Sequence, residues 1–426
     1  MRAVTIVGAG LAGWHAAREL RAQGFDDTIT VIGAEPRLPY DRPPLSKRFL
    51  RGEVDEARLA LSDEAELTEV DAHWITGRHA TRLDRRTRTV ELDDGTAIRS
   101  DGVVIATGAR ATTLPGLTGV AGVHTLRTLA DARALRAALT EGTPRTVVIG
   151  AGFIGAEVAA TCHALGLPVT VVEAAEVPLA RVLGPTVGAI CGELHRDHGV
   201  TMHCGFGVAG LRTAPYRRDG AGDGTRWKAP RTEGASRVTA VLGRDGRELA
   251  ADVVVVGIGS RPEVEWLAGS GLDITDGVGC DAVGATALPG VVALGDVARY
   301  ADPRGGSRRH EHWTAAVEQA PVAVRTLLTG RSHGEGGTDP VPNRVPYFWS
   351  DQYSTRVQLA GCPDAADDLE VVEGSFVDRD FVAVYRRRGR LTGVVAMNRG
   401  RGFTRLRREL RTATDRAVES SPAAST

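Results

Sequence analysis

The sequence is poor in cysteine, and its few cysteines are not arranged for disulfide or dithiol chemistry. Five cysteines occur among 426 residues, the first of them is Cys162, and no two form a C-x-x-C pair. An odd number of scattered cysteines does not suit a disulfide framework. We therefore expect a reduced, cytoplasmic protein in which no pair of thiols carries electrons.

A large excess of charge of one sign and long apolar stretches are also missing. Lys+Arg 52 and Asp+Glu 53 leave a net charge of −1, so no overall basic field points to nucleic acid. No uninterrupted apolar run is long enough to span a membrane. The opening MRAVTIVGAGLAGWHAA resembles a weak signal peptide, but its glycines fit a strand–turn–helix better. With 42% hydrophobic and 25% charged residues, the composition predicts a soluble α/β protein.

What the sequence does contain is a glycine-rich nucleotide cradle at its start. VTIVGAGLAG places Gly8, Gly10 and Gly13 directly after an apolar strand, and a helix follows. The next strand, TITVIGAE, ends at Glu35. Glycines let the backbone approach a pyrophosphate, the helix N-terminus offers free N–H groups, and the acid binds ribose hydroxyls. The combination predicts a dinucleotide site.

The same pattern recurs in the middle of the chain. TVVIGAGFIGAEVAA supplies Gly150, Gly152 and Gly155, and the strand VTVVEAAE ends at Glu173. We count the two residues between the second and third glycines, Phe153 and Ile154, among the nucleotide contacts. The alternative is an internal duplication with one inactive site, but both copies keep the three glycines and the acid. Two sites imply two dinucleotides, and hydride transfer between a nicotinamide and a flavin is the natural reason to hold both.

Three further apolar strands break into glycine-containing turns. GVVIATGAR (102–110), with Thr107 and Gly108, and ADVVVVGIGSRP (251–262), with Gly259, each have the character of a crossing between domains. GVVALGDVA (290–298) ends in Gly295 and Asp296, a pair with which flavoproteins bind the ribityl chain.

With these motifs the chain resembles the FAD-dependent pyridine nucleotide reductases of the glutathione reductase superfamily. The resemblance implies an α/β fold of two Rossmann-like nucleotide-binding domains, the NAD unit inserted in the FAD unit, plus a C-terminal α+β domain. We expect an FAD domain at 1–109 and 240–325, an NAD domain at 110–239 and the third domain at 326–412. Residues 413–426 are expected to be a disordered tail. The glycine- and charge-rich stretch 211–237 suggests an exposed hairpin insertion.

The segment PYDRPPLSKRFL (39–50) stands where the superfamily often carries its cysteine pair. Locally, Asp41 can cap a helix that Gly52 closes. The segment resembles that of ferredoxin and rubredoxin reductases serving oxygenases. There Arg42 would lie near the FAD diphosphate, Pro43 by the isoalloxazine, and Lys47 beside the flavin ring. The resemblance also implies that Lys47 pairs with Glu157 of GFIGAE, and that this cation stabilises the reduced flavin.

Two tryptophan motifs extend the resemblance to the C-terminal part. HEHWTAAVEQA (310–320) resembles the family's helix start, which implies that Trp313 lies near the flavin and the nicotinamide. VPYFWSDQY (345–353) resembles the family's tryptophan-bearing turn, which implies that Trp349 approaches the ring on the side where an iron–sulfur protein docks. Lys47, Glu157 and Trp313 are the residues expected to carry catalysis.

The cofactors implied are FAD and NADH. Glu173 would bind the adenosine ribose and repel a 2′-phosphate, and no arginine follows it directly, although Arg181 lies nearby in sequence. The implied partner is a [2Fe–2S] ferredoxin of a haem-thiolate monooxygenase or Rieske-type oxygenase. Electrons would pass from NADH to FAD as a hydride and leave singly, without a catalytic triad or a metal.

The docking face and the protein's class leave alternatives open. The stretch from Arg386 to Arg411 contains ten arginines and one acid, Glu409. This stretch forms either an attractive patch for ferredoxin or an ordinary solvated surface. The protein would be a monomer or a weak dimer. An NADH oxidase, a rubredoxin reductase or a monodehydroascorbate-type reductase would share the scaffold. An apoptosis-factor-like flavoprotein that binds protein or nucleic acid is the alternative from another class.

Overall fold

A computed structural model describes the chain in five ranges, with residues 415–419 as backbone: 1–117, 119–215, 236–302, 306–330 and 345–419. Three sheets of five strands form its framework, two of them parallel and one antiparallel. Among the described residues, no helix has the length and apolar character needed to cross a membrane.

The first sheet is parallel and carries the N-terminal cradle. Its strands, in spatial order, are β19 (Val291–Ala293), β7 (Gly102–Ile105), β1 (Ala3–Val7), β2 (Thr28–Gly33) and β3 (Ala72–Thr76). Its helices are α1 (Leu11–Ala22), α2 (Glu64–Val70) and α6 (Trp313–Thr329). The strands are almost continuously apolar because helices cover the parallel sheet, and each fully buried aliphatic side chain contributes about 1.5–3 kcal/mol.

The second sheet repeats this design around the second cradle. Its strands, in spatial order, are β12 (Thr201–His203), β11 (Val169–Val172), β10 (Thr146–Ile149), β16 (Val253–Val256) and β9 (Val123–His124). Its helices are α3 (Leu129–Leu139), α4 (Phe153–Ala164) and α5 (Ala180–Asp197). Within α5 the chain bends at Gly184, which has a non-helical φ of +68° and precedes Pro185.

Membership of β16 in the second sheet corrects the boundary expected at residue 240. Residues 253–256 pair in parallel with β10, so the inserted unit continues to about this point. The chain then returns at β17 (Ser260–Pro262), which pairs with β8 (Ala109–Ala111). The two predicted crossing segments therefore lie side by side.

Three further sheets of three strands each accompany these two units. They are β4 (Ala80–Asp84), β5 (Thr89–Leu92) and β6 (Ala97–Arg99); β13 (Val208–Pro215), β14 (Ser236–Gly243) and β15 (Glu248–Ala250); and β18 (Val278–Cys280), β20 (Ala298–Ala301) and β21 (Ser307–Arg309). The arms β13 and β14 are antiparallel, as expected for a hairpin at 211–237, and the residues joining them lie outside the described residues. Short 3₁₀ turns occur at Ala57–Leu59, Glu265–Leu267 and Gly295–Val297.

The C-terminal unit is an antiparallel sheet with one long helix. Its strands, in spatial order, are β22 (Tyr347–Gln352), β23 (Thr355–Gly361), β26 (Arg390–Met397), β25 (Asp380–Arg387) and β24 (Asp368–Ser375), and the helix is α7 (Gly400–Glu419). The helix continues through residues 413–419, so the start of the predicted disordered tail is helical. Residues 420–426 lie outside the described part of the chain.

Tyr353 joins the C-terminal sheet to the second unit. It sits in the turn between β22 and β23, stacks on the His198 ring at 3.8 Å, and shares a 2.7 Å hydrogen bond with His195 Nδ1. His195 lies in the last turn of α5, and His198 is the residue that caps the C-terminus of this helix. Burial, followed by repulsion from His198, lowers the pKa of His195 to about 4.

Acid is expected to destabilise this interface through His195. The unfolded chain binds a proton near pH 6.5 while the folded chain excludes it until about pH 4. Stability therefore falls as pH falls through this window, by up to about 1.4 kcal/mol per pH unit. Chemical unfolding at pH 7.5 and 5 should show a smaller acid-induced loss for His195→Asn than for the natural protein. Equal losses in both would contradict the prediction.

Candidate functional site

The first cradle has two glycines that no other residue could replace and one that faces open space. Gly8 has φ +118°, and a Cβ there would lie 2.0 Å from the Ala106 carbonyl oxygen. A Cβ on Gly13 would lie 1.8 Å from the Gly8 carbonyl oxygen. A Cβ on Gly10, at the N-terminus of α1, would meet no atom of the described part of the chain within 4 Å. This arrangement fits a pyrophosphate above the free N–H groups of the helix.

Glu35 and Arg42 meet beside this cradle. Glu35 accepts hydrogen bonds from Arg42 at 2.8 Å and from the Tyr40 hydroxyl at 2.7 Å. Each carboxylate oxygen keeps an acceptor position for a ribose hydroxyl. Arg42 also donates to the Arg127 carbonyl oxygen at 2.8 Å, so its guanidinium is held beside Glu35 from two sides.

Asp296, expected near the ribityl chain, is paired with Arg127. Their side chains lie 2.5 Å apart, and Arg127 also donates to the Ala109 carbonyl oxygen at 2.8 Å. Although burial opposes it, the ion pair with Asp296 raises the pKa of Arg127. Gly295 N–H donates to the buried Gln319 side chain at 2.7 Å, which fixes the turn carrying Asp296. Sequence reasoning missed Arg127, because no motif surrounds it.

The second cradle repeats the first in its backbone details. Gly150 has φ +97°, and a Cβ there would lie 2.4 Å from the Gly257 carbonyl oxygen; a Cβ on Gly155 would lie 2.0 Å from the Gly150 carbonyl oxygen. A Cβ on Gly152 would have only that same Gly257 oxygen within 4 Å, at 3.9 Å, among the atoms of the described ranges. Glu173 accepts from the Ala151 N–H at 2.8 Å and so lies across the mouth of the cradle.

Phe153 and Ile154 flank the second cradle differently. Ile154 is 43% exposed, which is unusual for an isoleucine and suits a residue that a ligand covers. Phe153 turns toward the C-terminal sheet, where its ring lies 4.4 Å from Phe348. Ile154 is thus exposed beside the cradle, at the first turn of α4, whereas Phe153 helps to fix the neighbouring C-terminal sheet.

Thr107, Gly108 and Gly259 form the crossing between the two units. Thr107 Oγ1 donates to the Glu263 carbonyl oxygen at 2.7 Å. Gly108 has φ +71° and Gly259 has φ +101°, both in the region that favours glycine. The Gly259 carbonyl oxygen accepts from the Thr112 N–H at 2.9 Å, which ties the two strands together.

The proline-rich segment is a π-helical turn at Leu45–Phe49 rather than a capped α-helix. No side chain caps this turn, and Asp41 instead accepts a 2.9 Å hydrogen bond from Trp313 Nε1. The expected role of Asp41 as a helix cap is therefore wrong. The π-helical turn ends at Phe49 and is capped by Leu50, so Gly52, which has φ +78°, lies in the turn beyond it and does not close the helix as expected.

The π-helical turn carries Lys47 into a buried ion pair. Lys47 Nζ lies 2.7 Å from Glu157 Oε2 and donates to the Pro43 carbonyl oxygen at 3.1 Å. The two side chains are only 15% and 6% exposed. Glu157 also accepts from Ser46 at 2.5 Å and from Ser350 at 2.8 Å. Lys47 and Ser46 belong to the first unit, Glu157 lies on α4 of the second, and Ser350 lies on β22 of the C-terminal unit. The three units of the fold therefore meet at one carboxylate.

Trp313 and Trp349 lie together on a face shared by α6 and the C-terminal sheet. Their ring centroids are 6.3 Å apart, and Trp349 stacks on Tyr347 at 5.9 Å. The guanidinium of Arg407 lies over the Tyr347 ring, 4.3 Å from its centroid. Trp349 belongs to strand β22, and the turn of the motif follows it at residues 353–354.

Cys162, the first cysteine of the chain, is not suited to redox chemistry. All five cysteines lie among the described residues and are free. Cys162, on α4, is fully buried, and burial raises its pKa to about 12. A thiol must be ionised to react, so this one is inert. The described residues also contain no group of histidine, cysteine or acidic side chains that could hold a metal ion.

Family models match most of the chain. Residues 2–320 match the model for pyridine nucleotide-disulphide oxidoreductases, and residues 347–424 match the model for the reductase C-terminal domain. The chain belongs to the pyridine nucleotide-disulphide oxidoreductase family. It is an FAD- and NAD-dependent oxidoreductase of the ferredoxin reductase type, as its sequence resemblance predicted.

Curated relatives and a solved structure agree with this membership. Rhodocoxin reductase of Rhodococcus erythropolis is 38% identical over 415 residues, covering 96% of this chain and 89% of the relative. The ferredoxin reductase component of chlorobenzene dioxygenase from a Cupriavidus species is 38% identical over 402 residues, covering 94% and 90%. The covalent putidaredoxin reductase–putidaredoxin complex matches with a TM-score of 0.84 and 33% identity, covering 97% and 93%. The fold of two nucleotide-binding domains and a C-terminal domain is thereby confirmed.

Proposed function

We propose that the protein is an NADH-dependent reductase that passes electrons singly from FAD to a [2Fe–2S] ferredoxin of an oxygenase system. The observation that carries this proposal is the buried Lys47–Glu157 pair, which links the segment after the first cradle to the helix of the second. The names of relatives that serve rhodocoxin and chlorobenzene dioxygenase support the choice of partner. The buried Cys162 thiol supports transfer without a dithiol.

In this proposal the first cradle holds FAD and the second holds NADH. Around FAD we assign Gly8, Gly10 and Gly13 to the pyrophosphate, Glu35 to a ribose, and Arg42 to the diphosphate. The crossing residues Thr107, Gly108 and Gly259 and the turn of Gly295 and Asp296 would line the remainder. FAD supplies the ability to accept a hydride and to release electrons one at a time.

Around the nicotinamide nucleotide we assign the glycines of the second cradle, Phe153, Ile154 and Glu173. Lys47, held by Glu157 and by the Pro43 carbonyl oxygen, would place a positive charge beside the flavin ring. Trp313, oriented by its bond to Asp41, and Trp349 would border the ring on the face open to a protein partner. These residues orient cofactors and shape the local field, so no side chain needs to form a covalent bond.

Glu173 is expected to make the enzyme prefer NADH to NADPH. A carboxylate that hydrogen-bonds the ribose would repel a 2′-phosphate. Replacing it in Glu173→Ala should lower kcat/KM for NADH about 10-fold or more, the cost of losing a hydrogen bond to a charged group. The ratio of kcat/KM for NADH to kcat/KM for NADPH should therefore fall. The neighbouring exposed Glu176→Ala serves as the control, and unchanged kinetics in both variants would contradict the role of Glu173.

The docking face that we propose for ferredoxin combines the tryptophan face with the first turns of α7. Several arginines of the basic stretch are already neutralised, since Arg387 pairs with Asp367 and Arg405 with Glu373. Arg401 and Arg408 lie on an exposed surface of α7 and appear in no ion pair that the described residues form. They are the charges best placed to attract an acidic partner.

Charge reversal of these two arginines tests the docking face. Arg401→Glu combined with Arg408→Glu should raise KM for ferredoxin about 10-fold at low salt and leave flavin reduction by NADH unchanged. Arg388→Glu combined with Arg390→Glu, two exposed arginines at the turn between β25 and β26, is the control of equal charge change. Equal effects of the two variants would show that net charge matters and the proposed face does not.

We also propose a cytoplasmic location and a monomer or weak dimer.

A further inference from the structure

Ser350 belongs to the C-terminal sheet, yet its hydroxyl touches the ion pair of the other two units. Its side chain is fully buried, and Oγ lies 2.8 Å from Glu157 Oε1. The opposite oxygen, Oε2, is taken by Ser46 and Lys47. Ser350 is therefore the donor for one carboxylate oxygen, while residues of the first unit supply the donors for the other.

The charge state of Glu157 decides which way the Ser350 hydroxyl points. An ionised carboxylate only accepts, so the single hydroxyl proton of Ser350 is directed to Glu157. Ser350 Oγ must then accept from its other neighbour, and Gln352 Nε2 lies 3.2 Å away. The side-chain amide of Gln352 consequently presents its NH₂ group to Ser350. The order of donation is Gln352 to Ser350 to Glu157.

Gln352 is held in this position at a cost. Its side chain is fully buried, and among the residues that the structure describes its Oε1 has no hydrogen-bond partner. An unsatisfied buried acceptor is unfavourable, so a side chain that served only to fill space would more simply be apolar. The arrangement is explained if the amide is needed to orient the serine hydroxyl.

We propose that Ser350 and Gln352 are positioning residues that hold the Glu157 carboxylate, and through it the Lys47 ammonium, in place beside the flavin. The inference rests on the proposed place of Lys47 at the flavin. The C-terminal unit thereby contributes to the redox properties of the flavin as well as to docking. With the donor removed, the carboxylate charge is less dispersed, and the reduced flavin loses part of its stabilisation.

The direct test replaces the donor and keeps the volume. Ser350→Cys should lower the rate constant for flavin reduction by NADH about 10-fold and shift the flavin reduction potential to a more negative value. Ser350→Thr keeps a hydroxyl, so the rate constant and the reduction potential should both stay close to those of the natural protein. Gln352→Met should shift the potential in the same direction by a smaller amount. Thr355→Val, a buried change on the same sheet, is the control and should leave the potential unchanged.

A double-mutant cycle distinguishes positioning from packing. Because Ser350 acts through Glu157, the potential of the Glu157→Gln protein should be insensitive to the further change Ser350→Cys. A full shift in that background, or no shift in the single variant, would overturn the proposal. The potential is measured on the holoprotein with dithionite and a reference dye, so it needs neither NADH nor ferredoxin. Failure to reduce ferredoxin would overturn the proposed function alone.

Discussion

Gly152→Val is expected to give a folded, FAD-containing protein that NADH no longer reduces, whereas Gly10→Val should give a folded protein without FAD. Both glycines have ordinary extended backbone angles, with φ −69° and −89°, and the space around them is open. The protein itself therefore tolerates a side chain at either position. The ligand does not, because a valine would occupy the path of the pyrophosphate to the helix N–H groups.

The size of each effect follows from the bonds that are lost. A pyrophosphate displaced from a helix N-terminus loses several charge-assisted hydrogen bonds, and we expect affinity to fall at least about 100-fold. Visible absorbance of the purified protein reports FAD, circular dichroism reports folding, and anaerobic mixing with NADH reports reduction. Each variant is the control for the other. Loss of FAD in Gly152→Val with retention in Gly10→Val would mean that the assignment of the two cradles is reversed.

Lys47→Met is expected to lower the rate constant for flavin reduction by NADH by about 100-fold or more, the usual effect of removing a preorganised charge from a buried site. The substitution also leaves Glu157 without its cation in a site where it is only 5% exposed. Breaking a buried ion pair from one side should lower the free energy of unfolding by about 3–5 kcal/mol.

Two companion variants separate the loss of charge from the loss of stability. Arg48→Met removes the adjacent cation, whose side chain is 58% exposed and lies 3.8 Å from Glu53, and should change the free energy of unfolding by less than about 1 kcal/mol. Lys47→Met combined with Glu157→Met replaces the whole pair by apolar side chains and should recover stability. The rate should stay low in that protein. Recovery of the rate as well would refute the role of the Lys47 charge.

The two cradles could be predicted from sequence because their requirements are local. Gly8 and Gly150 need positive φ and no Cβ, and both demands are met by one residue type at a fixed distance from a strand. The same is true of Glu35 and Glu173, which follow the second strand of each unit. Spacing along the chain therefore carries the information directly.

The meeting of three units at Glu157 has no such local signature. Lys47 is 110 residues from Glu157, and Ser350 is 193 residues from it. Only the resemblance to a family pointed to the Lys47 pair, and Ser350 went unnoticed inside the motif FWSDQY. The strand at 253–256 was assigned to the wrong unit for a related reason. Four valines can join any parallel sheet, and the partner strand decides which.

The measurement that tests the central claim most directly is an anaerobic single turnover with ferredoxin. The holoprotein, reduced by one equivalent of NADH, is mixed with an excess of an oxidised [2Fe–2S] ferredoxin, and the ferredoxin absorbance is followed. The account predicts that two ferredoxins are reduced for each NADH, because each ferredoxin accepts one electron. If several such ferredoxins stay oxidised, and a separate assay in air with excess NADH gives steady peroxide, the protein is an NADH oxidase and the account is wrong.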